Sequence, residues 1–160
     1  MKVRTPNEPS MSAGRRRATA ALALLATVAI ASCDQSLSDV AGPSPNLTPT
    51  FDSINQEIFQ TTDIAGRTSC ITCHTNVGRT PAGGLNMAQD PYASMVNVPS
   101  RQQTHLLMIN PGDPESSYLI HKLEGRTGIV GLQMPRNGPP FLTEGQIRVV
   151  KRWIEIGAPR

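Results

Sequence analysis

The chain has 160 residues, enough for one domain plus extensions, and its three Phe, two Tyr and one Trp exclude a core built on many aromatic rings. A small domain of that composition usually needs a staple, such as a metal, a disulfide or a bound cofactor. The formal charge of +3 points to no nucleic-acid partner: five cations and one acid lie within residues 1–32, so the remainder carries a charge of −1.

Residues 1–17 are polar and hold the cations Lys2, Arg4, Arg15, Arg16 and Arg17. An apolar run of 13 residues, Ala18 to Ile30, follows. It is shorter than the ~20 residues that span a bilayer, and has the layout of a secretory signal over residues 1–32. The run ends in Ile30-Ala31-Ser32-Cys33. This stretch resembles the bacterial lipobox, which implies lipid attachment at Cys33, a membrane anchor and a periplasm-facing place in the bacterial cell envelope. The plain alternative is an ordinary cleavage site that leaves Cys33 as a free thiol. Residues 33–50 are rich in Ser, Pro, Asp and Thr and read as a flexible tether with a reach of roughly 20–25 Å. Residues 51–160 form the expected domain.

Within it, Asp52 is a candidate N-cap for a helix over 53–61, with Ile54, Ile58 and Phe59 on one stripe. Cys70-Ile71-Thr72-Cys73-His74 comes next, the C-x-x-C-H pattern of covalent c-type haem attachment. Two thiols at that spacing reach the two vinyl groups on one porphyrin edge, and the adjacent imidazole faces the iron. A zinc site would need further ligands, and Cys33 is far upstream. A dithiol redox pair would sit beside a βαβ pattern, which this stretch lacks.

Residues 75–100 read as loop, with one or two helical turns over 91–96 started by Pro91. Asp113-Pro114-Glu115 reads as a helix start, running to about Leu123 and stopping near Gly125. The clearest helix begins at Thr143-Glu144-Gly145-Gln146, a capping box. Ile147, Val150, Trp153 and Ile154 share its inner face, and Gly157 and Pro159 end it. No stretch reads as a strand, so the expected class is all-α, with three to four short helices.

Met134 lies in a Pro/Gly-rich loop, 60 residues after His74. A thioether there would be a soft, neutral sixth ligand that favours ferrous iron. Met87, Met95, Met108, His105 and His121 are its rivals, since a Met is more often core filler than ligand.

Residues 66–159 resemble a class I, mono-haem c-type cytochrome domain of bacterial exported proteins. The matching stretches are Ser69 to His74, Gly83-Gly84-Leu85 and Asn110 to Ile120. Met134-Pro135, running through Gly138 to Thr143 into Trp153 to Ala158, also matches. Residues 85–110 depart from the pattern. The resemblance implies a cytochrome c-like fold around one covalent haem c on Cys70 and Cys73, with His74 proximal and Met134 distal. It also implies that the first and last helices pack together, with Trp153 covering that contact or the haem edge.

The function expected from these features is single-electron transfer between redox partner proteins, without enzymatic activity or a small-molecule substrate. Two other readings stand beside it. One is a haem enzyme or sensor with a labile sixth ligand, in which Arg136 would more naturally meet a propionate or solvent than act on substrate. The other is a non-haem thiol-redox module using Cys70 and Cys73.

Overall fold

Thr50 starts the first helix. Its backbone is extended and its hydroxyl accepts the Ser53 amide, so helix α1 begins at Phe51 and runs Phe51–Ile54. Asp52, the expected cap, lies inside the first turn instead. The helix continues without a break as a π-helix, Asn55–Gln60. The wider winding brings Gln60 Nε2 to 3.3 Å from Asn55 Oδ1, five residues back. The expected inner stripe is buried: Ile54 and Ile58 are fully enclosed and Phe59 nearly so.

The computed structural model describes Ser44 and residues 46–160. The signal segment, Cys33 and the tether up to residue 43 lie outside the described residues. The packed unit reaches further back than residue 51, because Leu47 belongs to the core. The Ser44 hydroxyl accepts Gln146 Nε2 at 3.2 Å inside the protein. No helix among the described residues is long and apolar enough to cross a membrane.

Short 3-10 turns follow at Cys70–Thr72 and Ala82–Gly84. Helix α2, Pro91–Met95, is capped by the Asp90 carboxylate, which accepts the Ala93 amide, and has Pro91 in its first turn. Beyond it the chain doubles back. Isolated bridges pair Val96 with Ile109, Pro99 with Leu107, and Leu107 with Ser117, and no longer strand forms among the described residues. The stretch 85–110 is therefore a folded lobe rather than open loop.

Helix α3, Tyr118–Glu124, begins later than the sequence suggests. Asp113 caps only a turn, accepting the Ser116 amide at 3.0 Å. Ser117 then takes the N-cap position. Gly125 ends the helix in the left-handed region at φ 67°. Helix α4, Glu144–Glu155, has both halves of the capping box between Thr143 and Gln146. Val150, Trp153 and Ile154 are fully buried.

Aromatic rings link the first helix to the last. Phe51 on α1 lies 5.9 Å from Trp153 on α4 and 5.1 Å, edge to face, from Tyr92 on α2. Such pairs each add roughly 0.5–1.5 kcal/mol beyond area burial. Trp153 therefore covers the contact between first and last helices. Its indole N–H donates to the Pro159 carbonyl at 2.8 Å, and Tyr92 donates to that of Ala158 at 3.0 Å, which folds the C-terminal tail onto the core.

On the surface, Glu115, Glu124, Arg126 and Lys151 form a closed ring of alternating charge with contacts of 2.6–2.8 Å. It ties α3 and its preceding turn to α4. Hydrogen bonds from Lys151, then Arg126, hold the Glu115 carboxyl below its ordinary range. Burial pushes Glu124 up, but its bonds from Lys151 and Arg126 outweigh that and its pKa is also lowered. A depressed carboxylate contributes stability that is complete above its unfolded pKa and is lost as pH falls through the folded one. Thermal stability should therefore fall on acidification below about pH 5, and the double variant Glu115→Gln/Glu124→Gln should flatten that slope. A slope that the variant leaves unchanged would remove the ring as its cause. At neutral pH each exposed pair is worth only about 0.2–1 kcal/mol.

Candidate functional site

Residues 67–74 turn around the end of the first helix and are held there by one buried arginine. Arg67 is 1% exposed. Its Nε meets Asp63 Oδ2 at 2.9 Å, and its two terminal nitrogens donate to the carbonyls of Ile58 (3.2 Å) and Glu57 (3.3 Å). These carbonyls lie in the π-helical segment. Asp63 Oδ1 accepts the amides of Ala65 and Arg67 in turn, each at 3.0 Å. The guanidinium thus fixes the loop 61–67 and the entry to the Cys70–Thr72 turn.

Cys70 and Cys73 are free thiols, the first half-buried and the second exposed. The Cys70 thiol donates weakly to the Ile58 carbonyl. Burial pushes its pKa up to about 11, against the pull of the Arg67 charge. His74 follows with its ring fixed: Nδ1 lies 2.9 Å from the Ala82 carbonyl. A carbonyl only accepts, so Nδ1 carries the proton and Nε2 keeps a free lone pair. Burial lowers the His74 pKa, which favours the neutral imidazole needed for coordination.

Two adjoining hollows share His74, Ala82, Met134 and Arg136. The larger, about 550 Å³, is lined by Cys70, Cys73, His74 and Met134, together with Arg67 and Leu142. The smaller, about 370 Å³, carries Leu85, Met108, Leu119 and Tyr118 on its walls. The four residues named from the sequence for one cofactor therefore border one cavity. Trp153 borders neither hollow.

The rivals of Met134 separate on burial. Met87 and Met95 are core residues at 2% and 0% exposure. His105 is exposed. His121 turns its ring toward the Glu115 carbonyl at 2.7 Å. Met108 lines the smaller hollow but not the larger one. Among the described residues no group of three or more His, Cys, Asp or Glu is arranged to hold a metal ion on its own.

The loop bearing Met134 is bonded to the end of α3. The last carbonyls of a helix have no partner inside it. Here the Lys122 carbonyl accepts the Met134 amide at 2.8 Å, and the Leu123 carbonyl accepts Gln133 Nε2 at 2.8 Å. Gly125 leaves room for this: a Cβ there would sit 2.8 Å from Gln133 Oε1. On the far side, Asn137 Nδ2 donates to Thr68 Oγ1 at 2.6 Å, joining the Met134 loop to the segment before Cys70. The Met134–Pro135 peptide is cis.

The lobe 96–109 supplies a wall. Arg101 and Gln102 border the smaller hollow. Gln102 accepts the Tyr118 hydroxyl at 3.1 Å, and Tyr118 in turn accepts the Val130 amide at 3.1 Å. A Cβ at Gly84 would lie 2.6 Å from Arg101 Cδ, so the bare glycine permits this approach. Arg67 and Lys122 were missed by sequence reasoning, as was this lobe. A charged residue reads as solvated in a sequence, and nothing local marks either cation as buried.

Arg136 is exposed at the junction of the two hollows. The chain matches no known family model, no curated protein and no solved structure.

Proposed function

We propose that this chain is a mono-haem c-type cytochrome that carries single electrons between redox partner proteins. One observation carries the reading: Cys70, Cys73, His74 and Met134, drawn from positions up to 64 residues apart, border a single cavity. The donor set fits the group. Two free thiols three positions apart precede a neutral imidazole whose Nε2 keeps its lone pair, and a thioether borders both hollows with that imidazole. Bound there, haem supplies a one-electron iron couple whose potential a Met/His ligand pair raises.

The chain's own residues have distinct tasks. Cys70 and Cys73 would hold the haem through two thioether bonds, each the addition product of one thiol and one vinyl group, so attachment would need no oxidant. The Ala82 carbonyl holds the His74 ring and its tautomer, as partners of ligating histidines commonly do. Apolar walls from Leu85, Leu119, Leu123 and Leu142 exclude water. Arg136, exposed where the two hollows adjoin, would meet a propionate or solvent. Lipid attachment at Cys33 would keep the carrier beside membrane-bound donors and acceptors in the bacterial envelope.

Against the thiol-redox reading stand the imidazole of His74 and the thioether of Met134, which border the same cavity as the two thiols and have no task in dithiol exchange. Met134 on the cavity wall weighs against a haem enzyme or sensor, because a thioether ligand there would leave no open position for substrate.

The test is an optical spectrum of the full chain made in a host that matures haem c. The wild type should show sharp reduced α and β bands that stay with the polypeptide on denaturation. Cys70→Ser/Cys73→Ser should abolish covalent retention. A colourless wild-type protein would sink the reading.

A further inference from the structure

We infer that Lys122 is the positioning residue for Met134, clamping the loop 130–134 so that the thioether stays on the iron; this rests on the haem reading above. Lys122 is 7% exposed and borders the same hollow as His74 and Met134. Its ammonium donates to the carbonyls of Val130 at 2.8 Å and Leu132 at 2.6 Å. Its own carbonyl accepts the Met134 amide at 2.8 Å. One residue of α3 thus grips the loop at three points, two of them through the charged side chain.

The clamp matters because apolar burial does little to hold this loop. Val130 is 45% and Leu132 60% exposed, so their side chains bury little area against the core. Gly131 within the loop and Gly128 just before it adopt φ of 75° and 86°, and without a Cβ these residues do little to hold the backbone in one conformation. Among the described residues no carboxylate lies within ion-pairing distance of Lys122. The loop carbonyls are therefore the acceptors that offset its desolvated charge, and charge-assisted bonds of this kind are the strong ones. Neither the loop nor the ammonium is satisfied without the other.

Lys122→Met keeps the stem and removes the donors. In the haem-loaded full chain it should retain the α and β bands, since Cys70, Cys73 and His74 are untouched. The weak far-red band of thioether-ligated ferric iron should fall by half or more. CO affinity of the ferrous form should rise about tenfold, tracking the fraction of protein with the sixth position open. Glu115→Gln, which weakens the surface ring, serves as the control: it should lower stability without moving either signal.

The wild-type spectrum keeps the two claims apart. A wild type without haem bands, or without the far-red band, overturns the ligation and the clamp together. A wild-type band that Lys122→Met leaves intact, with CO binding unchanged, overturns the clamp alone. If Lys122→Met yields no haem-loaded protein, Lys122→Arg and Lys122→Gln are compared. The cationic variant must keep more of the band, and equal bands or the reverse order overturn the proposal.

Discussion

Met134→Ala should leave a red protein with covalent haem and intact reduced α and β bands, but without the far-red ferric band. The reason is division of labour around the cavity. In the proposed cytochrome, attachment and proximal ligation would depend on Cys70, Cys73 and His74, which sit on one short turn and are positioned by Arg67 and Ala82. Met134 arrives separately, on a loop bonded to the end of α3. Removing the thioether therefore opens the sixth position without undoing attachment. The reduction potential should fall by on the order of 100 mV or more, since axial ligands span a range of roughly 0.8 V. The sign follows from thioether chemistry: a soft, neutral donor favours ferrous iron, so its loss favours ferric. CO should bind the ferrous variant readily. A spectrum and potential unchanged from wild type would move the sixth ligand elsewhere, and Met108 is then the first to replace, because it also borders the smaller hollow.

Arg67→Ala should cost about 3–5 kcal/mol, the range for breaking a buried ion pair from one side. The Arg67 side chain is 0% exposed and that of Asp63 6%, so neither charge can turn to water. Alanine would leave the Asp63 carboxylate without its cation and the Glu57 carbonyl without its guanidinium donor. It would also open a void beside Cys70. For a domain of this size the melting temperature should drop by roughly 10–20 °C. Arg67→Lys should recover only part of this, because an ammonium does not reproduce a planar fork reaching three acceptors. Chemical denaturation of the haem-loaded protein measures both variants. A loss of under about 1 kcal/mol would place Arg67 with ordinary surface pairs.

Several features were legible in the sequence because their chemistry is local. A capping box needs only Thr143 and Gln146 three positions apart, and α4 starts where they place it. Gly125 stops α3 because a left-handed residue is required there and glycine adopts it without strain. The stripe of Ile54, Ile58 and Phe59 is buried as its period implied. Where local signals competed, the sequence was less decisive. Both Thr50 and Asp52 can cap a helix, and Asp113 and Ser117 likewise. Packing selected Thr50, because a start there turns Phe51 onto Trp153 and Tyr92. Ser117 was selected because its backbone belongs to the bridge with Leu107, and the helix begins only beyond it.

By itself, then, the sequence determined the spacing of Cys70, Cys73 and His74, the ends of α4 and the stop of α3, all set by neighbours a few positions away. Only the tertiary structure decided which methionines are core and which border the cavity with His74. It alone buried Arg67 beneath the π-helical carbonyls, turned Lys122 inward onto Val130 and Leu132, and made a wall of the lobe 96–109. Those outcomes depend on contacts between residues far apart in the chain, and a side chain's own chemistry does not say whether water or protein will surround it.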